Sequence, residues 1–142
     1  TMVLAGKMVQ WLEKYPKAKG RIDIIGMGAP IFDRLRELPK VRERVQGVNV
    51  AKPATDPEHY ANIRAEGWDL MRLWLRDAIL EKHEGWYELA KPKTKIKSNG
   101  QMILESKEEM RARGVSSPNI GDALALAFQK PSEGGSVQMI WG

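Results

Sequence analysis

Apolar residues recur at helical spacing from the start of the chain: Met2 to Ala5, then Met8 and Val9, then Trp11 and Leu12. Residues 2–14 are therefore expected as an amphipathic helix, closed by Tyr15 and Pro16. The pattern then shortens. Arg21-Ile22-Asp23-Ile24-Ile25 is an apolar run of strand length, stopped by Gly26-Met27-Gly28. Ile31, Leu35 and Leu38 share one face of a helix expected over 30–38, and residues 45–50 read as a second strand. Helix, strand, helix, strand is the rhythm of a parallel α/β sheet.

A loop over 51–57 leads to a long helix expected over about 59–80, carrying Trp68 and Trp74 as packing aromatics. Residues 93–105 read as a β-hairpin. A two-residue Asn99-Gly100 turn would put Lys95 and Lys97 on one face with Met102 and Leu104. A three-residue Ser98-Asn99-Gly100 loop with Gly100 left-handed pairs Ile96 with Met102 and Thr94 with Leu104 instead, which leaves one largely apolar face. The second register is preferred. A short charged helix over 106–113 ends at Gly114. The last helix is expected to start with Ser117 as its N-cap and Pro118 at the first helical position, and to run to Phe128. Residues 129–142 form a Gly- and Ser-containing tail with Met139-Ile140-Trp141.

Two carboxylates break this pattern. Asp122 lies in Ile120-Gly121-Asp122-Ala123-Leu124-Ala125, beyond the expected first turn, where neither capping nor the helix dipole accounts for it. Asp23 interrupts Ile22, Ile24 and Ile25 in a strand expected to be covered on both faces. Buried carboxylates require cations or hydrogen-bond donors. Each has a plain reading as a wet-edge residue and a sharper one as an oxygen ligand to Mg²⁺ or Mn²⁺. Other candidates fall away. Gly26-Met27-Gly28 lacks the third glycine of a dinucleotide fingerprint and the acid after the next strand. His59 and His83 stand alone. Ser116 and Ser117 read as caps.

Composition narrows the partners. The 142 residues suffice for one domain with a core, and there is no cysteine, which excludes disulfides, thiolate metal sites and a cysteine nucleophile. The formal net charge is +5. It is divided as +5 over residues 1–50, −3 over 51–90 and +3 over 91–142. Positive flanks suit a polyanion, nucleic acid first. Lys91, Lys93, Lys95 and Lys97 line one side of a strand, either guarding an edge or meeting phosphates. No apolar run reaches the roughly 20 residues of a membrane span.

Three strings in order, "RIDIIGMGAPIFDRLREL", "VQGVNVAKPATDPEHYANIRAEGWDLMRLWL" and "ESKEEMRARGVSSPNIGDALALAF", resemble the C-terminal nuclease domain of tailed-phage terminase large subunits. The resemblance covers about residues 2–128. It implies a ribonuclease-H-like mixed sheet flanked by helices, here truncated at its N-terminal strands and with an added hairpin. Residues 1–130 are then a partial nuclease domain and 131–142 a tail. It implies an endonuclease that cuts concatemeric viral DNA with two Mg²⁺ or Mn²⁺ ions. By position Asp23 matches the acid on the central strand and Asp122 the acid on the C-terminal helix. A third acid belongs to a strand that this chain is expected to lack, starting as it does at Thr1.

Further expectations follow from the resemblance. Lys107, Arg111 and Arg113, with Lys93, Lys95 and Lys97, would contact double-stranded DNA. The partners would be the packaging ATPase domain, the small terminase subunit and the portal, in the bacterial host's cytoplasm. The strand edge beside Asp23 is expected to pair with another copy or to be covered. Two other readings stand beside this one: a non-catalytic DNA-binding or assembly module, and another ribonuclease-H-like nuclease such as a junction resolvase.

Overall fold

The computed structural model describes residues 2–130, in two compact units, 2–50 and 51–130. The expected tail, with Met139-Ile140-Trp141, lies outside the described residues.

The first unit is helix, strand, helix, strand: α1 (Met2–Lys14), β1 (Gly20–Asp23), α2 (Ala29–Arg36) and β2 (Val45–Val48). β1 and β2 run parallel, with Ile22 opposite Gly47 and Asp23 opposite Val48. Ala5, Leu12, Ile22, Leu35, Val41 and Val45 form the core, with Phe32 and Leu38 packed against it. Arg44 ties off α1 by donating to the carbonyls of Leu12 at 2.6 Å and Pro16 at 3.2 Å. Both strands are shorter than expected, and β1 ends where Asp23 turns the chain. Its Oδ1 accepts the Ile25 N–H at 2.9 Å. Covering of β1 on both faces does not hold either, since Ile22 is buried while Arg21 and Asp23 are half-buried. Gly28 is required by the turn that follows: a Cβ there would lie 1.7 Å from the Asp23 carbonyl oxygen. Close packing, not phosphate binding, accounts for that glycine.

The second unit contains α3 (Ile63–Trp74), β3 (Thr94–Ile96), β4 (Met102–Leu104), α4 (Lys107–Ala112) and α5 (Asn119–Leu126). The hairpin has the preferred register, Ile96 opposite Met102 and Thr94 opposite Leu104, with Gly100 left-handed at φ 87°. Ser106 and Glu109 make a reciprocal capping box at the start of α4. Trp68, Met71, Leu104 and Ala125 form the core, with Leu75, Leu89 and Phe128 against it.

Two helix expectations need correction. The long helix over 59–80 is α3 alone, 12 residues. Asn62 is its N-cap, accepting from the Ala65 N–H at 2.9 Å. Tyr60 just before it lies extended beside Met102, with the Met102 N–H donating to the His59 carbonyl at 2.7 Å. A chain engaged with a strand cannot also begin a helix. The second correction concerns α5. Pro118, not Ser117, is its N-cap, and no side chain of its own caps it. The Ser117 hydroxyl is buried without a hydrogen bond. The orphan N–H of Ile120 donates instead to Glu88 Oε2 at 2.7 Å. Because α5 starts one residue later than expected, Asp122 falls in its first turn.

Among the described residues no helix is long and apolar enough to cross a membrane.

Candidate metal and nucleic-acid site

Asp122 sits where α3, α4 and α5 meet. Gly121 permits the approach of α5 to α3, since a Cβ there would lie 2.5 Å from the Trp68 ring. The Trp68 indole N–H therefore lies under the carboxylate and donates to Asp122 Oδ1 at 2.9 Å. Arg64 donates to the same oxygen from Nε at 3.2 Å and from Nη2 at 3.1 Å. The two side chains are mostly buried, 17% and 23% exposed for Arg64 and Asp122. A charge this far out of water is tolerated because an oriented guanidinium and an indole meet it.

The other oxygen is different. Asp122 Oδ2 is buried and accepts no hydrogen bond. Lys107 Nζ, at the start of α4, lies 3.3 Å from it as an ion pair. The carboxylate thus has one oxygen committed to Arg64 and Trp68 and one paired with Lys107, whose side chain is 48% exposed. Oδ2 becomes a ligand for a hard divalent cation only if the Lys107 ammonium swings away from it. It is one ligand and not a full set: among the described residues no three His, Asp or Glu converge as a metal-holding group.

A second carboxylate lies beside this one. Glu105 is buried directly after β4. Arg113 grips it with Nε to Oε1 at 2.6 Å and Nη2 to Oε2 at 2.8 Å, and the Lys93 N–H donates to Oε2 at 3.0 Å. The bidentate Arg113 bond holds its carboxyl down at about 2. Arg113 also donates to the Lys91 carbonyl at 2.5 Å. Arg64 connects Asp122 to the backbone of Glu105, since its Nη1 donates to the Glu105 carbonyl at 3.1 Å.

The expected DNA contacts separate accordingly. Lys107 faces Asp122. Arg113 is consumed by Glu105 and the Lys91 carbonyl. Arg111 remains on the surface beside Glu108 at 3.3 Å. In the hairpin, Lys95 pairs with Glu109, which lowers the Glu109 carboxyl, and Lys97 donates to Gln101 at 3.3 Å. Lys93 is exposed. Asp23 lies in the other unit, where its Oδ1 accepts the Ile25 N–H.

The sequence pattern does not single out Arg64, Trp68 or Glu105 as site residues. Glu105 carries a usable signal, a carboxylate directly after Met102-Ile103-Leu104, of the same kind as Asp122. Arg64 carries none, being one cation on a mixed helix.

No family model matches the chain, and no curated protein does. Solved structures do. The nuclease domain of the large terminase subunit gp2 of bacterial virus Sf6 matches with a TM-score of 0.68 at 18% identity, over 90% of this chain and 72% of that one. This chain has the fold of a large-terminase nuclease domain. A lysine-to-alanine mutant of the Sf6 domain with manganese matches at a TM-score of 0.64 and 17% identity, over 89% of this chain and 72% of that one. The same mutation with calcium gives 0.66 and 18%, over 89% and 71%. A terminase nuclease fold places the two short sheets and their helices in a mixed α/β class, as the sequence resemblance implied.

Proposed function

We propose that this chain is the nuclease part of a viral DNA-packaging terminase, a metal-dependent endonuclease acting on double-stranded DNA. The observation that carries the reading is Asp122: a half-buried carboxylate with one oxygen held by Arg64 and Trp68 and the other facing Lys107, in a fold shared with terminase nuclease domains. In this reading Asp122 and Asp23 are each a carboxylate ligand to Mg²⁺ or Mn²⁺. A further acid comes from the strand that precedes α1 in the resemblance. Two such ions, when bound, supply an activated water and charge stabilisation at the leaving oxygen.

The residues of the chain prepare for that chemistry. Arg64 and Trp68 hold the Asp122 carboxylate in one orientation. Lys107 keeps a positive charge at Oδ2 and, being half exposed, is placed to meet a phosphate as well. Arg111 and the exposed lysines of the hairpin add the diffuse positive charge that duplex binding needs, with a steep salt dependence and no sequence preference. The packaging ATPase, small subunit and portal are the partners of the same reading.

Titration with Mn²⁺, followed by water-proton relaxation, tests it. The chain is expected to bind Mn²⁺ weakly, and Asp122→Asn to abolish that binding. Equal binding by the two overturns the metal assignment. Salt-dependent DNA binding without any Mn²⁺ binding would favour the non-catalytic module instead.

A further inference from the structure

We infer that the C-terminal end of α1 is a stacking platform for an unpaired base of single-stranded nucleic acid. The site lies in the first unit and uses neither Asp122 nor a metal. Trp11 and Tyr15 are four residues apart, so their side chains share one face of the helix. The Tyr15 N–H donates to the Trp11 carbonyl at 3.0 Å, which carries the helical geometry on to the second ring. The two rings stack, with centroids 5.5 Å apart and planes 11° apart. Aromatics that serve the core would be covered, and these are 57% and 47% exposed. The backbone beneath them is pinned. Arg44 Nη1 reaches the carbonyls of Leu12, Tyr15 and Pro16 at 2.6, 3.4 and 3.2 Å. A rigid, exposed π surface takes up a base with little ordering cost.

An aromatic pair at this spacing can serve helix stability alone. The lysines around it go beyond that. Lys14 Nζ lies 5.3 Å from the centre of the Trp11 ring and 5.4 Å from that of Tyr15. Lys7 stands one turn before Trp11, and Lys17 and Lys19 follow Pro16. All four lysines are exposed, and among the described residues none pairs with a carboxylate. Glu13, the one acid of α1, meets Lys40 at 3.7 Å instead. Arg34 and Arg42 of the same unit have glutamate partners, at 2.7 and 3.3 Å. The lysines left unmatched are thus the ones around the rings. An exposed cation–π contact is weak, so the Lys14 ammonium can pass to a phosphate while the rings take the base. Exposed rings beside unmatched lysines are the combination that holds single strands. A duplex keeps its base faces stacked inside and gains only the charge. An acidic peptide or an anionic surface would likewise use the lysines and leave the stack unused.

Fluorescence anisotropy tests it, with the 142-residue chain and a labelled thymidine oligomer of about twelve nucleotides. EDTA is present so that no strand is cut. The chain is expected to bind the oligomer, and Trp11→Ala and Tyr15→Ala each to weaken binding about tenfold. Trp11→Phe keeps a ring and is expected to retain most of the affinity. Lys14→Ala and Lys17→Ala are each expected to flatten the salt dependence by about 0.7 in log–log slope. Binding to a blunt duplex of the same length is expected to be unmoved by Trp11→Ala. Both rings lie at the surface, so either alanine variant that keeps the circular-dichroism spectrum carries the test. Oligomer binding that survives the loss of each ring overturns the inference, as does an equal loss for oligomer and duplex. Binding to phosphatidylserine vesicles with none to the oligomer overturns it too. The Mn²⁺ titration at Asp122 is a separate measurement, so the metal reading and this one fail independently.

Discussion

Asp23 ends β1 half-buried, with one oxygen on the backbone N–H of Ile25 two residues away. Asp122 is held in the first turn of α5 by Arg64 and Trp68, 58 and 54 residues away, with Lys107 against its second oxygen. The first carboxylate belongs to a turn, and local backbone geometry positions it. The second belongs to the tertiary structure, and three separate helices must be in place before it is oriented. A carboxylate of the first kind reorients cheaply toward a ligand. One of the second kind presents a fixed atom. The difference teaches that a polar residue in an apolar run shows where charge is buried and leaves open what holds it.

The contrast is tested most strongly by truncation at α5. Asp122→Ala leaves the Arg64 guanidinium and the Trp68 N–H without their acceptor, and is expected to cost about 3 kcal/mol. Denaturant unfolding followed by circular dichroism measures it.

A smaller effect is expected at Glu105, whose carboxyl is held down at about 2 by Arg113. A carboxyl lowered below its ordinary value stabilises the fold fully above that ordinary value, and the stabilisation is lost as pH falls toward the folded one. Thermal stability is therefore expected to decline between about pH 4.5 and pH 2. Glu105→Gln should remove that share of the decline and lower stability at neutral pH, where Arg113 loses its partner. A thermal melt series across this window decides it, and an identical acid profile for the variant would detach Glu105 from acid sensitivity.

The smallest effect is expected at β1. Asp23→Ala removes one hydrogen bond within a turn and should cost about 1 kcal/mol or less. Equal losses at Asp23 and Asp122 would break the contrast.

Much of this architecture is legible in the linear order of residues. Local chemistry carries it: Gly100 and the cross-strand pairs Ile96–Met102 and Thr94–Leu104 specify the hairpin register, and Ser106 with Glu109 specifies the start of α4. The α3 boundaries are not legible in this way. The apolar run through Leu75 hides where the helix stops, and Tyr60 is held extended by Met102, a contact spanning 42 positions. The cap of α5 is hidden too, because its acceptor, Glu88, comes from a distant segment. Within the site, Asp122 is visible as an anomaly. Its partners are not, since nothing in a linear pattern singles out Arg64 among the cations of the chain.

The bond of Arg113 to both the Lys91 carbonyl and Glu105 has a mechanical corollary. It clasps the two feet of the hairpin, so the segment between them is a noose closed without a covalent link. Whatever happens at the tip, around Ser98 to Gly100, is confined to the tip. Lengthening or trimming there leaves the clasp, and with it the backbone that anchors Arg64, in place. The reach of this arm can change while the carboxylate behind it stays where it is.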